Sequence, residues 1–272
     1  MLAWLLLAAA ALALLLLVQG LRRVRRRPAR KSATTRYPVV LAHGFLGFDE
    51  IGVGERKHLY FRGVGPHLEA MGARVYSPRV PPASTVAVRA QRLADLIREL
   101  PDERVNIVAH SMGGLDARYA ISRLGLGAKV ASLTTIGTPH LGTPLANPGN
   151  ALFGTVSRVL RHLFDLVAFG DFTREGMKRF NADVTDDPQV AYQSVVGRSR
   201  RWRTHPLLWP THLYLAQHSG ANDGVVPADS QRWGVVMREV DADHWAQIGW
   251  SSGFDAKSLY EDLLRELRGR GF

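Results

Sequence analysis

Val105-Asn-Ile-Val-Ala-His-Ser-Met-Gly-Gly114 is the stretch on which the fold turns. Residues 105–109 form a short, mostly apolar run that reads as a buried strand, and Leu115, Tyr119 and Ile121 then recur at helical spacing. Between strand and helix, Ser111 has small residues two positions before and after it, Ala109 and Gly113. A sharp strand–turn–helix of this type exposes a serine hydroxyl at the end of a sheet, where it can act as a nucleophile. The pattern is A-x-S-x-G instead of G-x-S-x-G, with alanine still small enough for the turn. A serine ahead of a Gly-rich first helical turn is also an ordinary helix N-cap, so the flanking strand and helix carry the weight of the nucleophile reading.

Outward from this turn, further strands are predicted at 38–42, 72–76, 130–136, 190–196, 212–216 and 234–240. Helical segments at 64–71 and 86–100, and the one after Ser111, alternate with them. Such alternation predicts an α/β fold with a mostly parallel central sheet and helices on both faces. Residues 145–188 break the rhythm. Leu152, Phe153, Val156, Val159, Leu160, Leu163, Phe164 and Val167 form an apolar stripe at helical spacing, which predicts a helical insertion.

Three more segments fall where acyl-transfer chemistry would need them. His43-Gly44-Phe45 follows the first strand; its loop could supply one oxyanion donor, the Phe45 N–H, to complement the Met112 N–H after Ser111. Asp223 lies in Gly220-Ala-Asn-Asp-Gly-Val-Val-Pro227, after the strand expected at 212–216. A carboxylate there can orient an imidazole, although an Asp-Gly pair is equally an ordinary turn. Of the ten histidines, His244 is the one that follows the last strand. His43 and His110 sit on the two turns themselves and read as positioning residues. Taken together, the chain order is Ser111, Asp223, His244, the order of α/β-hydrolases.

These residues resemble the bacterial triacylglycerol lipases of the α/β-hydrolase superfamily, the secreted pseudomonad type. The resemblance extends over nearly all of residues 37–250. It rests on Tyr37-Pro-Val-Val-Leu-Ala-His-Gly-Phe-Leu-Gly-Phe-Asp49, the Ser111 segment, Gly137-Thr-Pro-His-Leu-Gly142, Glu175-Gly-Met-Lys-Arg-Phe-Asn-Ala182 and Ala221-Asn-Asp-Gly-Val-Val226. It implies a Ser111–Asp223–His244 triad, Phe45 and Met112 as oxyanion donors, and a lid or cap in 145–188. The stripe then either hides its apolar face over the site in water or packs permanently on the core. Two family features are missing. A chain without cysteine forms no disulfide, and Ala246 and Trp250 stand where calcium ligands would be sought. No His/Glu cluster has zinc spacing either. Neither a metal nor a cofactor is expected.

The net charge of +11, from 35 basic and 24 acidic residues, would ordinarily raise a nucleic-acid partner. Eight of the basic residues, from Arg22 to Arg36, lie in the first 36 residues with no acid among them, leaving 27 basic against 24 acidic beyond. The catalytic body at 37–272 is thus nearly neutral, and no nucleic acid is expected. Residues 2–18 are an unbroken apolar run, about 26 Å long as a helix, at the short end of what spans a bilayer. The expected reading is a transmembrane signal anchor at 1–20, followed by a polybasic juxtamembrane linker at 21–36 that contacts membrane lipids. The positive-inside rule then keeps the body cytoplasmic. The alternative is a signal peptide cleaved near Val18-Gln-Gly20. Arg198-Ser-Arg-Arg-Trp-Arg203 with Leu207-Leu-Trp-Pro210 mixes cations with tryptophan and reads either as a lipid-docking loop or as a solvated basic loop.

The expectation is a membrane-tethered serine hydrolase acting on carboxylic esters, acyl lipids in particular. Its rivals are an acyltransferase or small-ester esterase with the same triad, and a noncatalytic α/β scaffold.

Overall fold

Val39-Val-Leu-Ala42 is apolar on both sides, and both sides are covered. Val40 and Ala42 face one hydrophobic cluster while Val39 and Leu41 face another, as the period-2 geometry of a strand requires. The computed structural model describes residues 34–45, 51–53, 56–58, 60–82, 84–147, 172–251 and 253–272, all within the unit Ala33–Phe272. The strands are β1 (Val39–Ala42), β2 (Ile51–Val53), β3 (Arg56–His58), β4 (Val75–Tyr76), β5 (Val105–His110), β6 (Val130–Ile136), β7 (Ala191–Gly197) and β8 (Val235–Val240). The helices are α1 (Val64–Glu69), α2 (Val86–Arg98), α3 (Met112–Arg123), α4 (Arg174–Asp183), α5 (Trp209–Ser219) and α6 (Ala256–Gly269).

Six strands form one sheet in the order β4-β1-β5-β6-β7-β8, with every neighbouring pair parallel. β2 and β3 make a separate antiparallel pair. Helices α2 and α3 cover one face through Ala90, Leu93, Ile97, Ala117 and Ile121. On the other face, α1 and α6 pack Val64, Leu68, Leu259, Leu263 and Leu264 against Leu41, Val108 and Ile136. A parallel sheet needs both faces covered, and here α6 shares the second face with α1. Asp255 caps α6 by accepting the Ser258 N–H at 3.1 Å.

One predicted strand is wrong. Residues 212–216 lie inside the helix α5, not in the sheet. The alternation of Leu213 and Leu215 looks like a strand, but Leu213 is exposed while His212 and Leu215 are buried at i and i+3, which is helical periodicity. Pro210 in the first turn suits a helix start. Asp223 is consequently reached from a helix end at Gly220 (φ 76°), not from a strand.

The apolar run at 2–18, the basic cluster from Arg22 to Lys31, and the stripe from Leu152 to Val167 lie outside the described residues. Among the described residues no helix is long and apolar enough to cross a membrane.

Candidate active site

The turn predicted around Ser111 is a strained one. Ser111 has φ 55° and ψ −131°, the only positive φ outside glycine among the described residues. Such a conformation costs about 1–3 kcal/mol and persists only where neighbours impose it. They do so from both sides. The Ser111 N–H donates to Ile136 O at 2.9 Å, and Ser111 O accepts from Thr138 Oγ1 at 2.8 Å. Gly113 and Gly114 allow the close fit. A Cβ on Gly113 would lie 2.6 Å from Ala42 O, and one on Gly114 would lie 2.3 Å from Thr138 Oγ1.

The loop after β1 is pressed against this turn. A Cβ on Gly44 would sit 2.7 Å from the Ser111 Cβ, so the Gly44–Phe45 peptide lies beside the serine. Its carbonyl is held from behind. His43 Nδ1 meets Gly44 O at 3.0 Å, and Arg89 Nη2 donates to His43 O at 2.8 Å and Gly44 O at 3.3 Å. In a trans peptide the N–H points opposite the C=O; fixing the Gly44 carbonyl fixes the direction of the Phe45 N–H. Met112 opens α3, where an N–H has no acceptor within its own helix.

Arg89 is itself wholly buried and paired with buried Asp116, Nε to Oδ2 at 2.8 Å. Burial pushes the Asp116 carboxyl up to about 6 despite the opposing guanidinium. Sequence reasoning missed this pair: the two residues stand 27 positions apart, on helices α2 and α3, where each would otherwise read as a surface charge.

Asp223 and His244 are brought together. His244 Nδ1 lies 2.8 Å from Asp223 Oδ2, and the His244 N–H donates to Asp223 O at 2.9 Å. The other carboxylate oxygen, Oδ1, accepts the N–H groups of Val225 at 2.9 Å and Val226 at 2.7 Å. Gln247 Nε2 donates to Oδ2 at 3.1 Å. Gln247 fills a notch cut by two glycines, for a Cβ on Gly197 would fall 2.0 Å from its Nε2 and one on Gly137 2.4 Å from its Oε1. The sequence offered no signal for Gln247 beyond its place three residues after His244.

Tyr60 ties the two turns together. Its hydroxyl lies 2.7 Å from His110 Nδ1 and is also hydrogen-bonded by the Gly44 backbone. Burial raises the phenol above its ordinary range, so it stays protonated and donates to His110. The His110 imidazole is held well below its ordinary value, by burial first and then by His244; the two rings lie 4.4 Å apart. A neutral His110 places no positive charge beside the His244 ring.

Ser111 and His244 line one pocket of about 470 Å³, walled by Phe45, Leu207, Trp245, Ile248 and Trp250. A mostly apolar wall around a nucleophile-type serine and an imidazole suits an apolar chain carrying a carbonyl. The motif at 137–142 lies behind it: buried Arg118 stacks on Trp233 at 3.5 Å and donates to Asn181 Oδ1 at 2.8 Å, while Asn181 Nδ2 donates to His140 O at 2.7 Å. That network pins α4 to the loop after β6.

Comparison with known proteins agrees with this architecture. The alpha/beta hydrolase fold family matches residues 37–174. Triacylglycerol lipase 2 of Saccharomyces cerevisiae is 33% identical over 71% of this chain, and the match spans 63% of that protein's length. A triacylglycerol lipase of Pseudomonas fragi is 28% identical over 78% of this chain and 88% of its own. Among solved structures, a metagenomic carboxyl esterase superposes with a TM-score of 0.74 at 22% identity, covering 90% of this chain and 80% of that one. The mature form of a Bacillus licheniformis lipase gives 0.68 at 21% identity, over 88% and 94%.

Proposed function

Since the chain belongs to the α/β hydrolase family, we propose that it is a serine hydrolase of carboxylic esters with acyl lipids as its substrate class. The single observation that carries this reading is the strained Ser111 turn opening into the same apolar pocket as His244, whose Nδ1 is held by Asp223. The lipases among its relatives support the ester and lipid parts of it.

In this reading Ser111 Oγ attacks the ester carbonyl carbon and its proton passes to His244 Nε2. Asp223, bonded to the opposite ring nitrogen, holds the tautomer and stabilises the imidazolium. The carbonyl oxygen becomes an oxyanion that receives the N–H groups of Phe45 and Met112. As the tetrahedral intermediate collapses, the C–O bond breaks and the leaving alkoxide takes the proton from His244. Water then attacks the acyl-Ser111 ester by the same steps, with His244 as its base, and releases the acid. The N-terminal segment tethers the enzyme to a membrane, with the body on the cytoplasmic side. The apolar run and its one-sided basic flank support this assignment.

A fluorophosphonate probe tests the chemistry: it labels the wild type and not Ser111→Ala. Folded wild type that resists labelling and hydrolyses no ester, from short-chain to triacylglycerol, refutes the reading. Proteolysis of inverted membrane vesicles tests the topology, with the body expected to be digested.

A further inference from the structure

The sequence of the loop between β7 and α5 suits either lipid docking or plain solvation. In the structure Trp202 is 75% exposed and Leu207 73%, with Trp209 and Leu213 also at the surface. Scattered single apolar residues are normal on a protein surface; here they are grouped and interleaved with arginine. The Arg200 guanidinium lies 5.6 Å from the Trp202 ring centre and that of Arg201 5.7 Å from Trp209. Arg200 and Arg203 share Asp241, and Arg198 pairs with Glu239. Arg201 has no acidic partner among the described residues, so the loop keeps a cationic excess.

This patch is continuous with the catalytic pocket. His205 and Leu207 from the same loop line the pocket that holds Ser111 and His244. The attachment is firm, because the His205 N–H donates at 2.6 Å to Asp243 Oδ2 and Asp243 Oδ1 accepts the Trp245 and Ala246 N–H groups just after His244.

We propose that residues 198–209 dock this protein on an anionic phospholipid surface, with the pocket mouth facing the lipid. Tryptophan and leucine enter the interfacial layer while the arginines stay at headgroup level. The cationic excess selects anionic lipid, with each arginine near the surface strengthening binding roughly fivefold. The inference rests on the ester-hydrolase reading of the pocket and adds the surface from which substrate would enter.

Because the natural chain has no cysteine, a single Trp202→Cys change in the full-length protein takes an environment-sensitive fluorophore at one place. A second label at Glu99→Cys, at the far end of α2 from Arg89, serves as the control. On vesicles of phosphatidylcholine with phosphatidylglycerol, the label at 202 shifts to the blue and is quenched by lipid-borne quencher, whereas the label at 99 stays aqueous. On phosphatidylcholine alone the shift at 202 is several-fold weaker. Arg200→Gln/Arg201→Gln keeps the rate on a water-soluble short-chain ester and loses at least fivefold on a long-chain ester in anionic vesicles. A label at 202 that stays aqueous on both vesicle types, or inserts equally into both, overturns the docking proposal. Absence of soluble-ester hydrolysis in the parent protein overturns the ester reading instead, and the label still decides docking.

Discussion

Gln247 and His244 share one oxygen of Asp223: the amide donates to Oδ2 at 3.1 Å and the ring nitrogen lies 2.8 Å from the same atom. An imidazole needs its carboxylate at one angle, and a carboxylate anchored only through Oδ1 could still turn about its own bonds. Gln247, wholly buried, fixes the second oxygen. Gln247→Leu removes a hydrogen bond to a charged group, a loss of about 1.5–3 kcal/mol. If all of that loss falls on orienting the imidazole in the transition state, kcat drops by at most roughly 10- to 150-fold, with KM little changed. Steady-state kinetics on a soluble ester check it, and a normal kcat would show that Val225 and Val226 suffice.

Arg89 and Asp116 separate stability from catalysis. Arg89→Met leaves a buried carboxylate without its partner, and the protein should lose about 3–5 kcal/mol. The double variant Arg89→Met/Asp116→Leu should recover much of that stability, since apolar replacement of a buried ion pair is often neutral. Its kcat should stay low, because the His43 carbonyl loses its Arg89 donor and the Gly44 carbonyl keeps only His43 Nδ1. Urea unfolding and ester kinetics on the same samples measure both quantities. Wild-type turnover in the double variant would remove the clamp from the mechanism.

Gly44→Ala probes the fit of the loop against the serine. The added methyl would need to stand 2.7 Å from the Ser111 Cβ and 2.8 Å from the Tyr60 hydroxyl, so the loop must move outward and carry the Phe45 N–H with it. Loss of one oxyanion donor raises a barrier by about 2.7–4 kcal/mol. A kcat down by 10²–10³-fold is expected, with the thermal midpoint lowered only slightly. Unchanged kcat would exclude Phe45 as a donor.

Acid should weaken the fold through two histidines. His110 and His140 are buried and held well below their ordinary value of 6.5, by burial first, then by His244 and Arg118 respectively. A depressed group contributes stability that is present above its unfolded value and is lost as pH falls toward its folded one, because only the unfolded chain takes the proton. Unfolding free energy should therefore drop below pH 6.5 by up to about 1.4 kcal/mol per pH unit for each histidine. Asp116 acts in the opposite sense. Its raised carboxyl takes up a proton first in the folded state, so its contribution grows as pH falls from about 6 toward 3.8. Denaturant titrations at pH 7.5, 6.5 and 6.0 measure the net slope, Asp116 opposing the histidines as pH nears its value of about 6, and His140→Asn should flatten that slope whatever it does to absolute stability.

The legible parts of this molecule were those written in neighbouring residues. The Ser111 turn could be read because a strand, a tight turn and a helix leave marks within ten positions. The order Ser111, Asp223, His244 could be read because each follows an element with its own local pattern. Helix α5 was misread for the same reason, since the alternation around Leu213 and Leu215 satisfies two periodicities over five residues and only burial separates them. Helix α6 escaped the reading altogether, although Leu259, Leu263 and Leu267 stand at four-residue spacing.

By itself the sequence determined the α/β class and the parallel sheet and singled out three candidate catalytic side chains, because strand period, glycine placement and chain order are properties of short segments. Tertiary structure alone decided what holds those side chains in place. The Arg89 clamp reaches back 45 positions to Gly44, the Trp250 indole donates to Tyr60 O across 190, and Gln247 needs glycines at 137 and 197 to fit. Such partners meet because a packed core leaves buried polar atoms few other acceptors, a condition of the folded whole that short-range spacing does not record.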